Sequence, residues 1–247
     1  MVEVNEISKS FGDVTAVSRV SFRVAGGEVF GLLGPNGAGK TTTLRILATL
    51  IKANSGSATV AGFDIERDPQ RVRHAIGVVN GGMGLYDRLT GREVLTYFGG
   101  LYGMNQQQMD ERINQLDELL SLGDALTRQT GDFSTGMKQK IVIARAVLHD
   151  PPVIFFDEAT SGLDVMARRA VLDLVSEFAR QGKAVVYSTH VMSEVEELCD
   201  RIAIVYQGAI VAQDTLPNLL ESTGAQSLER AFFDVVKRSG LATELVS

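Results

Sequence analysis

Residues 34–41 read GPNGAGKT, a glycine-rich segment whose residue types suit the binding of phosphate. The segment matches G-x-x-x-x-G-K-[ST] at every position and lies between an apolar run and a helical stretch. Its glycines let backbone N–H groups face an anion, while Lys40 offers positive charge to the outer phosphates and Thr41 offers a hydroxyl to Mg2+. We therefore predict a nucleoside triphosphate site, with a purely structural turn as the alternative. The candidate contacts are Gly34, Pro35, Asn36, Gly37, Ala38, Gly39, Lys40, Thr41 and Thr42.

A second segment, VIFFDE at 153–158, ends an apolar run with two carboxylates. Asp157 can hold Mg2+ through its water shell, and Glu158 can polarise an attacking water. Acidic residues at such positions also cap helices, so the pair alone leaves both roles open. Together with the glycine-rich segment, the pair supplies the metal holder and the general base that hydrolysis of a nucleoside triphosphate requires.

The apolar run AVVYST ends directly before His190, which places an imidazole at the same edge of the predicted sheet. From there the imidazole can contact the outer phosphate or orient the attacking water. His74 and His149 have no such placement, and we assign them no role. A short turn also follows the acidic pair, and by itself it indicates only a loop. The residues of this turn are Ser161, Gly162, Leu163 and Asp164.

The segment GDFSTGMKQK at 131–140 places Ser134 at the start of the helical stretch IVIARAVLH. The first N–H groups of a helix lack internal partners and the helix dipole is positive there, so the position suits an anion. Serine at a helix start also commonly caps its own helix. The segment alone leaves both interpretations open.

The elements that must position these residues follow an alternating pattern. Residues 1–30 alternate apolar and charged positions, which predicts antiparallel strands. Continuously apolar runs at 29–34, 152–156, 184–189 and 202–206 predict strands buried on both faces, and helical stretches separate the last three. We therefore predict an α/β fold with a mostly parallel core sheet and an N-terminal antiparallel β subdomain. Its ligands should bind at the carboxyl ends of the parallel strands.

Residues 85–150 interrupt this alternation with helical patterns only, which predicts an α-helical insertion. The apolar face of its longest helix comprises Met109, Ile113, Leu116 and Leu120. Further along, IVYQGAIVAQD predicts a hairpin that turns at residues 207–208. Residues 228–240 predict a final amphipathic helix packed on the core.

Composition restricts the class of protein. The chain has 247 residues, 45% of them hydrophobic, which is enough for one large domain or two small ones with a buried core. Its formal charge of -6 argues against a broad nucleic-acid surface. The single cysteine, Cys199, excludes an internal disulfide and a cysteine-cluster metal site. No N-terminal targeting segment is visible and no apolar run approaches about 18 residues, so a membrane role would require a partner.

The segments GPNGAGKT, FSTGMKQK, VIFFDE and SGLD occur together with His190 in the order and spacing of ATP-binding-cassette (ABC) transporter subunits. The chain resembles these subunits from about residue 2 to 220. The resemblance implies the P-loop ATPase fold, with ATP and Mg2+ as cofactors. It also implies an ABC nucleotide-binding domain at 1–220, whose helical subdomain covers about 85–150, and a short C-terminal helical tail at 221–247. In this family adenine stacks on the residue that matches Phe11, which the strand pattern alone would place in the core.

In ABC proteins two subunits pair head to tail, and the segment that matches FSTGM caps the γ-phosphate bound by the other subunit. The resemblance therefore assigns this signature segment to the ATP of a second copy of the chain. Its residues are Phe133, Ser134, Thr135, Gly136 and Met137. The commonest family form is L-S-G-G-Q, so Thr135 adds a Cβ where a glycine is usual. The S-x-G-M form is similar to that of bacterial export systems. The turn at 161–164 resembles the family's D-loop.

A second departure from the family pattern concerns a glutamine. The family usually has Gln after the strand that here reads AIGVV, where it reaches the metal and links the site to the membrane partner. The aligned position is Gly81, with Asn80 beside it. Asn80 or a water can replace the carboxamide, or the glycines can form a looser hinge.

The resemblance thus implies an ATPase subunit at the cytoplasmic face of the cell membrane, peripheral through the integral membrane permease that it drives. The FSTGM form, the altered glutamine region and the short tail are most similar to sodium-efflux (Nat-type) export subunits, with drug or lipid export as the alternative. ABC ATPases of DNA repair or translation are a further alternative, although they usually carry two cassettes, coiled coils or zinc insertions. Because the chain is acidic, we expect it to bind no nucleic acid.

Overall fold

The computed structural model describes residues 1–81 and 84–241, which form two β-sheets and nine α-helices. The strands are β1 (Val2–Phe11), β2 (Val14–Val24), β3 (Val29–Leu33), β4 (Ser55–Val60), β5 (Phe63–Asp64), β6 (Ile76–Asn80), β7 (Val153–Asp157), β8 (Ala184–Thr189), β9 (Arg201–Tyr206) and β10 (Ala209–Asp214). The helices are α1 (Lys40–Leu47), α2 (Pro69–His74), α3 (Gly91–Leu101), α4 (Gln106–Leu120), α5 (Thr135–Val147), α6 (Val165–Arg180), α7 (Met192–Leu198), α8 (Leu216–Thr223) and α9 (Leu228–Arg238).

The core sheet has the strand order β10-β9-β3-β8-β7-β6 and is parallel except for β10, which pairs antiparallel with β9. Every residue of β3, β7 and β8 is buried, as their continuous apolar runs predict for strands covered on both faces. The second sheet, β2-β1-β4-β5, is antiparallel. The predicted fold class is confirmed. The carboxyl ends of β3, β7 and β8 therefore meet at one edge, directly before GPNGAGKT, Glu158 and His190 respectively.

The hairpin between β9 and β10 turns where the sequence predicts. Gln207 and Gly208 have φ of 46° and 82°, the left-handed conformations that a tight hairpin turn requires. The tip is fixed in place, because the Gly208 N–H donates to the Ala38 carbonyl at 3.0 Å and its carbonyl accepts from the Ser18 N–H at 2.8 Å. The hairpin thus connects the antiparallel sheet to the glycine-rich segment.

Residues 85–150 contain α3, α4 and α5, with short 3-10 turns at Gly123–Leu126 and Thr130–Asp132. Thr90 with Glu93 and Asn105 with Gln108 form reciprocal capping boxes that fix the starts of α3 and α4. The predicted apolar face of α4 is buried; its members are Met109, Ile113, Leu116 and Leu120. Ile113, Leu116 and Leu120 belong to the main hydrophobic core.

Three charged residues fix this helical segment to the core sheet. Arg112 of α4 donates to the Val147 carbonyl at 3.1 Å at the end of α5 and to Asp150 at 2.9 Å. The Lys183 ammonium, just before β8, donates to the same carboxylate at 2.6 Å. Although burial opposes the effect, these two cations hold the pKa of Asp150 below its ordinary value. Arg112 thereby also satisfies a carbonyl that the end of α5 leaves without a helical partner.

The C-terminal part of the chain packs against the core rather than forming a separate unit. In α9, Leu228, Phe232 and Val236 are buried in one cluster with Leu33 and Val195, as the amphipathic pattern predicts. Helix α8 runs across position 220, so the predicted boundary between domain and tail falls inside a helix. No helix within residues 1–81 and 84–241 is long and apolar enough to cross a bilayer.

We expect Asp150→Asn to lower the free energy of unfolding by about 1 kcal/mol near neutral pH, since the exposed carboxylate is screened by solvent. Asparagine tolerates the positive φ of this position, 54°, so the change removes mainly charge. Because folding lowers the pKa, the stabilisation is complete above about pH 4 and disappears as the pH falls through the folded value. Urea denaturation near pH 7 and near pH 3 measures this difference.

The matched control is Asp173→Asn, since Asp173 pairs with Arg169 where both side chains are more than half exposed. Its effect should be small at both pH values. A difference between wild type and Asp150→Asn that stayed undiminished near pH 3 would show that the charge of Asp150 is not what stabilises the contact.

Candidate nucleotide-binding site

The glycine-rich segment forms a loop between β3 and α1 in which glycine is required by close backbone packing. Gly37 and Gly39 have φ of 81° and 103°. A Cβ at Gly34 would lie 2.2 Å from the Val205 carbonyl oxygen, and one at Gly39 would lie 2.4 Å from the Ala16 carbonyl oxygen. The loop therefore keeps its shape only with glycine at these positions.

Lys40 is buried and folds its side chain back under this loop. Its Nζ donates to the Gly34 carbonyl at 2.7 Å and to the Pro35 carbonyl at 3.0 Å, and lies 3.4 Å from Glu158 Oε1. Burial lowers the pKa of Lys40, while the negative charges of Glu158 and Asp157 oppose that effect. An anion in the loop would therefore meet an ammonium that is only weakly hydrated and already surrounded by acceptors.

Asp157 is the last residue of β7, and two hydroxyls point at one of its oxygens. Thr41 Oγ1 donates to Oδ1 at 3.0 Å, and Ser188 Oγ donates to the same atom at 2.8 Å. Thr41 is the first residue after Lys40 in α1, so the loop and the acidic strand end are joined directly. Sequence reasoning missed Ser188, although a polar pair, Ser-Thr, ending an otherwise apolar strand is a signal for it.

Glu158 lies between Lys40 and His190. Its φ of 50° is left-handed, a strained conformation for a residue with a Cβ, and its N–H donates to the Ser188 carbonyl at 3.0 Å. The carboxylate Oε2 lies 3.5 Å from His190 Nδ1, and the imidazole is 45% exposed. The structure thus brings the side chains of Lys40, Glu158 and His190 together.

A cavity of about 310 Å3 is formed above the loop. It is lined by Ala16, Asn36, Gly37, Ala38, Gly39, Lys40, Thr41, Thr42 and Glu158. Ala16 belongs to β2 and was not predicted. Phe11, at the end of the paired strand β1, is 52% exposed, so the core placement that its strand pattern favours is wrong. An exposed ring is available for stacking.

Within the described part of the chain, three larger clefts lie away from these groups. One, of about 530 Å3, lies between α4, α5 and α6, and a second, of about 470 Å3, is lined by His74, Tyr102 and His149 among others. The third, also of about 470 Å3, lies along α9. The His149 ring stacks on Tyr102 with centroids 3.7 Å apart, and burial lowers the pKa of His149 to about 4. None of these clefts is lined by the glycine-rich loop or the acidic pair, so we do not place the chemistry there.

The FSTGM segment lies outside the lining of the 310 Å3 cavity. Ser134 is the N-cap of α5, and its Oγ accepts from the Met137 N–H at 3.3 Å. Both Ser134 and Thr135 are exposed, whereas Phe133 is buried in the core. One turn along the helix, Gln139 Nε2 donates to the Ala159 carbonyl at 2.8 Å, which joins α5 to the segment after Glu158.

The turn at 161–164 leads into α6. Asp164 is the N-cap of this helix, and its Oδ1 accepts from the Ala167 N–H at 2.8 Å. Leu163 packs against the main core, while Ser161 and Gly162 are exposed. The second half of the turn is therefore fixed by packing and capping, whereas its first half is exposed to solvent.

Gly81 occupies a position where a side chain does not fit. Asn80, the last residue of β6, pairs in register with Asp157, and the Gly81 N–H donates to the Asp157 carbonyl at 3.0 Å. A Cβ at Gly81 would lie 2.6 Å from the Glu158 carbonyl oxygen. The glycine thus permits close contact with the backbone of the acidic pair, and the interpretation of a looser hinge is not needed to explain it. The following residues, 82 and 83, lie outside the described part of the chain.

Comparisons with known proteins identify the family of the chain. A family model described as ABC transporter matches residues 17–161. The ABC transporter ATP-binding protein NatA of Bacillus subtilis (strain 168) is 41% identical over 243 residues, which cover 96% of this chain and 99% of that protein. The doxorubicin resistance ATP-binding protein DrrA of Mycobacterium tuberculosis (strain ATCC 25618 / H37Rv) is 40% identical over 225 residues, which cover 90% of this chain and 68% of that protein.

A solved structure of the ATP binding subunit of an ABC transporter superposes with a TM-score of 0.87 and 29% identity, covering 96% of this chain and 99% of that one. The dimeric structure of a bacterial ABC transporter cassette has the same fold, with a TM-score of 0.77 and 24% identity over 87% of this chain and 99% of that one. The family model spans more than half of the chain, and NatA matches it over nearly its whole length. The chain belongs to the ABC transporter family, as an ATP-binding subunit with ATPase activity.

Proposed function

We propose that the chain binds ATP with Mg2+ in the cavity above residues 34–42 and hydrolyses it there to power a separate membrane permease. The observation that carries this proposal is the convergence of Lys40, Glu158 and His190, with 3.4 Å between Lys40 Nζ and Glu158 and 3.5 Å between Glu158 and His190 Nδ1. These residues come from three separate segments of the chain and meet at one edge of the core sheet.

Thr41 and Asp157 fit the requirements of a magnesium site. Their side-chain oxygens lie 3.0 Å apart, and hydroxyl and carboxylate oxygens are the donors that Mg2+ prefers. We infer that Thr41 holds the metal directly and that Asp157 holds it through its water shell. The bound metal would neutralise negative charge on the outer phosphates.

The remaining residues have distinct tasks in hydrolysis. Lys40 exchanges the Gly34 and Pro35 carbonyls for phosphate oxygens, which concentrates positive charge on the group that is transferred. Glu158 accepts the proton of the attacking water as the bond between the γ-phosphorus and the oxygen of ADP breaks. His190 orients Glu158 and contacts the outer phosphate. Adenine stacks on the exposed ring of Phe11.

A second copy of the chain completes the site. Ser134 and Ser161 are exposed and lie outside the lining of the chain's own cavity, so they are available to another subunit. In a head-to-tail dimer, Ser134, the Gly136 N–H and the dipole of α5 cap the γ-phosphate held by the partner. ATP binding closes this dimer, and loss of the γ-phosphate opens it.

The permease that the chain is proposed to drive implies a location at the cytoplasmic face of the membrane. Tyr86, in the loop after β6, and Tyr97 of α3 are each more than half exposed, and their ring centroids lie 6.2 Å apart. Leu101, at the end of α3, is also more than half exposed. These side chains offer apolar surface to a partner. Export with Na+ as the cargo is proposed from the resemblance of the signature and glutamine regions to Nat-type subunits. The doxorubicin resistance protein DrrA among the relatives favours a hydrophobic drug as the alternative cargo.

We expect Lys40→Ala and Glu158→Gln to separate binding from hydrolysis. Lys40→Ala removes charge from the phosphate site and should weaken ATP binding, whereas Glu158→Gln should bind ATP but slow its hydrolysis by about a hundredfold or more. Nucleotide titration and phosphate release measure the two effects, and Glu158→Gln should accumulate as a dimer with ATP and Mg2+ in gel filtration. Lys52→Ala, an exposed lysine elsewhere, is the control. Normal turnover by Lys40→Ala would contradict the assignment of the loop.

The role of Gly81 is tested by adding a single methyl group. We expect Gly81→Ala to reduce turnover by about tenfold or more with little change in ATP affinity, because the new Cβ displaces the backbone of Glu158. Gly81→Gln restores the family's carboxamide but carries the same Cβ, so it should show the same loss. Gly84→Ala is the matched control, since a Cβ at Gly84 meets nothing within 4 Å. Wild-type turnover in Gly81→Ala would refute the steric explanation.

Trans action of Ser134 is tested by mixing two variants that are expected to be inactive, Lys40→Ala and Ser134→Arg. A mixed head-to-tail dimer combines both defects in one site and regenerates one intact site, so ATPase activity should partly return. The control replaces Ser134→Arg by the double variant Lys40→Ala/Ser134→Arg, which leaves no intact site in the mixture. Cross-labelling establishes that the mixed dimer forms. A mixed dimer with no recovery, although single-site turnover is shown independently, would leave Ser134 as a cap of its own helix only.

A further inference from the structure

Glu194 of α7 is a buried carboxylate that the hydrolytic scheme does not use. Its side chain is 1% exposed, and four groups contact its two oxygens. Oε1 accepts from Thr160 Oγ1 at 2.8 Å and forms an ion pair with Arg168 Nε at 2.9 Å. Oε2 accepts from the Tyr187 hydroxyl at 3.0 Å and from Thr189 Oγ1 at 2.7 Å. A buried charge is tolerated only with such partners, so its position is closely defined.

One contact of Glu194 fixes the backbone on both sides of His190. Thr189 Oγ1 donates to Glu194 and at the same time accepts from the Val191 N–H at 3.0 Å. The backbone is thereby fixed immediately before and after His190. The imidazole itself is partly exposed, and its contact with Glu158, at 3.5 Å, is long. The direction of the imidazole is therefore set by the backbone beneath it.

The contact of Glu194 with Thr160 fixes the segment after Glu158. Thr160 lies two residues after Glu158, and its carbonyl accepts from the Leu163 N–H at 3.2 Å. Since Thr160 Oγ1 donates to Glu194 at 2.8 Å, a single carboxylate holds the segments that carry both Glu158 and His190. Movement of either segment relative to the other must disturb Glu194.

We propose that Glu194 is a positioning residue that sets His190 against Glu158 during ATP hydrolysis. The carboxylate suits this task because its two oxygens accept three hydrogen bonds and pair with the Arg168 guanidinium, whereas a neutral amide of the same shape has only one acceptor oxygen. The inference rests on the role proposed above for His190. It predicts an effect on the rate of hydrolysis rather than on ATP binding, since Glu194 lies outside the lining of the ATP cavity.

Glu194→Gln should lower kcat of the purified full-length chain by about tenfold to a hundredfold, with KM changed by less than about threefold. Thermal unfolding monitored by circular dichroism establishes a temperature at which both proteins are folded for the assay. Glu197→Gln is the matched control, since Glu197 lies on the same helix but is exposed and pairs with Arg169. If Glu194→Gln shifted KM with kcat unchanged, or changed neither constant, the proposal would be overturned.

Comparison with His190→Ala separates positioning from general support of the fold. If Glu194 acts through His190, adding Glu194→Gln to His190→Ala should cause no further loss of kcat. Enough enzyme is used that a further tenfold loss would be detected. If Glu194→Gln lowered kcat by the same factor in the wild type and in His190→Ala, Glu194 would support the structure in general, and the proposal would fail. Full activity of His190→Ala would instead overturn the proposed role of His190 itself.

Thr189→Val provides an independent test if Glu194→Gln does not fold. This change removes the contact toward His190 but leaves the contacts of Glu194 with Thr160, Tyr187 and Arg168. It should reproduce the loss of kcat in the wild-type background and cause no further loss in the His190→Ala background. Wild-type kcat in folded Thr189→Val would refute the connection between Glu194 and His190.

Discussion

The buried ammonium of Lys40 is the constraint around which the ATP site is built. A buried cation is costly unless acceptors surround it, and here they are the carbonyls of Gly34 and Pro35 and the carboxylate of Glu158. The carbonyls require a loop that curls over the side chain, which only glycine permits at the tightest points. The carboxylate requires that β3 and β7, which are separated by β8, end at the same edge of the sheet. The glycine loop and the acidic pair thus both supply acceptors to one buried charge.

The sequence was sufficient for those parts of the fold in which local pattern and tertiary environment agree. Continuous apolar runs predicted β3, β7 and β8 because these strands are buried on both faces, and the hairpin turn followed from Gln207 and Gly208. It was insufficient for the short antiparallel strands β4 and β5 and for α2. The sequence of β4, SGSATV, is polar and contains glycine, so it forms a strand through pairing with β1 rather than through its own propensity.

The site shows the same division between local and tertiary information. Lys40, Asp157 and Glu158 belong to contiguous motifs, so residue type and spacing identified them. Ser188 joins the site through its pairing with Asp157, and only the polar end of its strand indicates it in the sequence. Ala16 joins the site through close packing of its carbonyl against Gly39, and no pattern in the sequence indicates it. Glu194 is still harder to recognise, since Glu196 and Glu197 follow it and all three fit a solvated helix. Only the packing of α7 shows that Glu194 shares the buried face with Val195 and Leu198.

The same contacts explain how binding and hydrolysis can be linked within one chain. The ammonium of Lys40 lies 3.4 Å from Glu158, which in turn lies 3.5 Å from His190. A phosphate that draws Lys40 towards itself removes one of these two partners and leaves Glu158 oriented by His190. Gly81 restricts the backbone of Glu158 by its close contact with the Glu158 carbonyl. Glu194 restricts the segments that carry Glu158 and His190, so the carboxylate keeps its position when Lys40 turns to the phosphate.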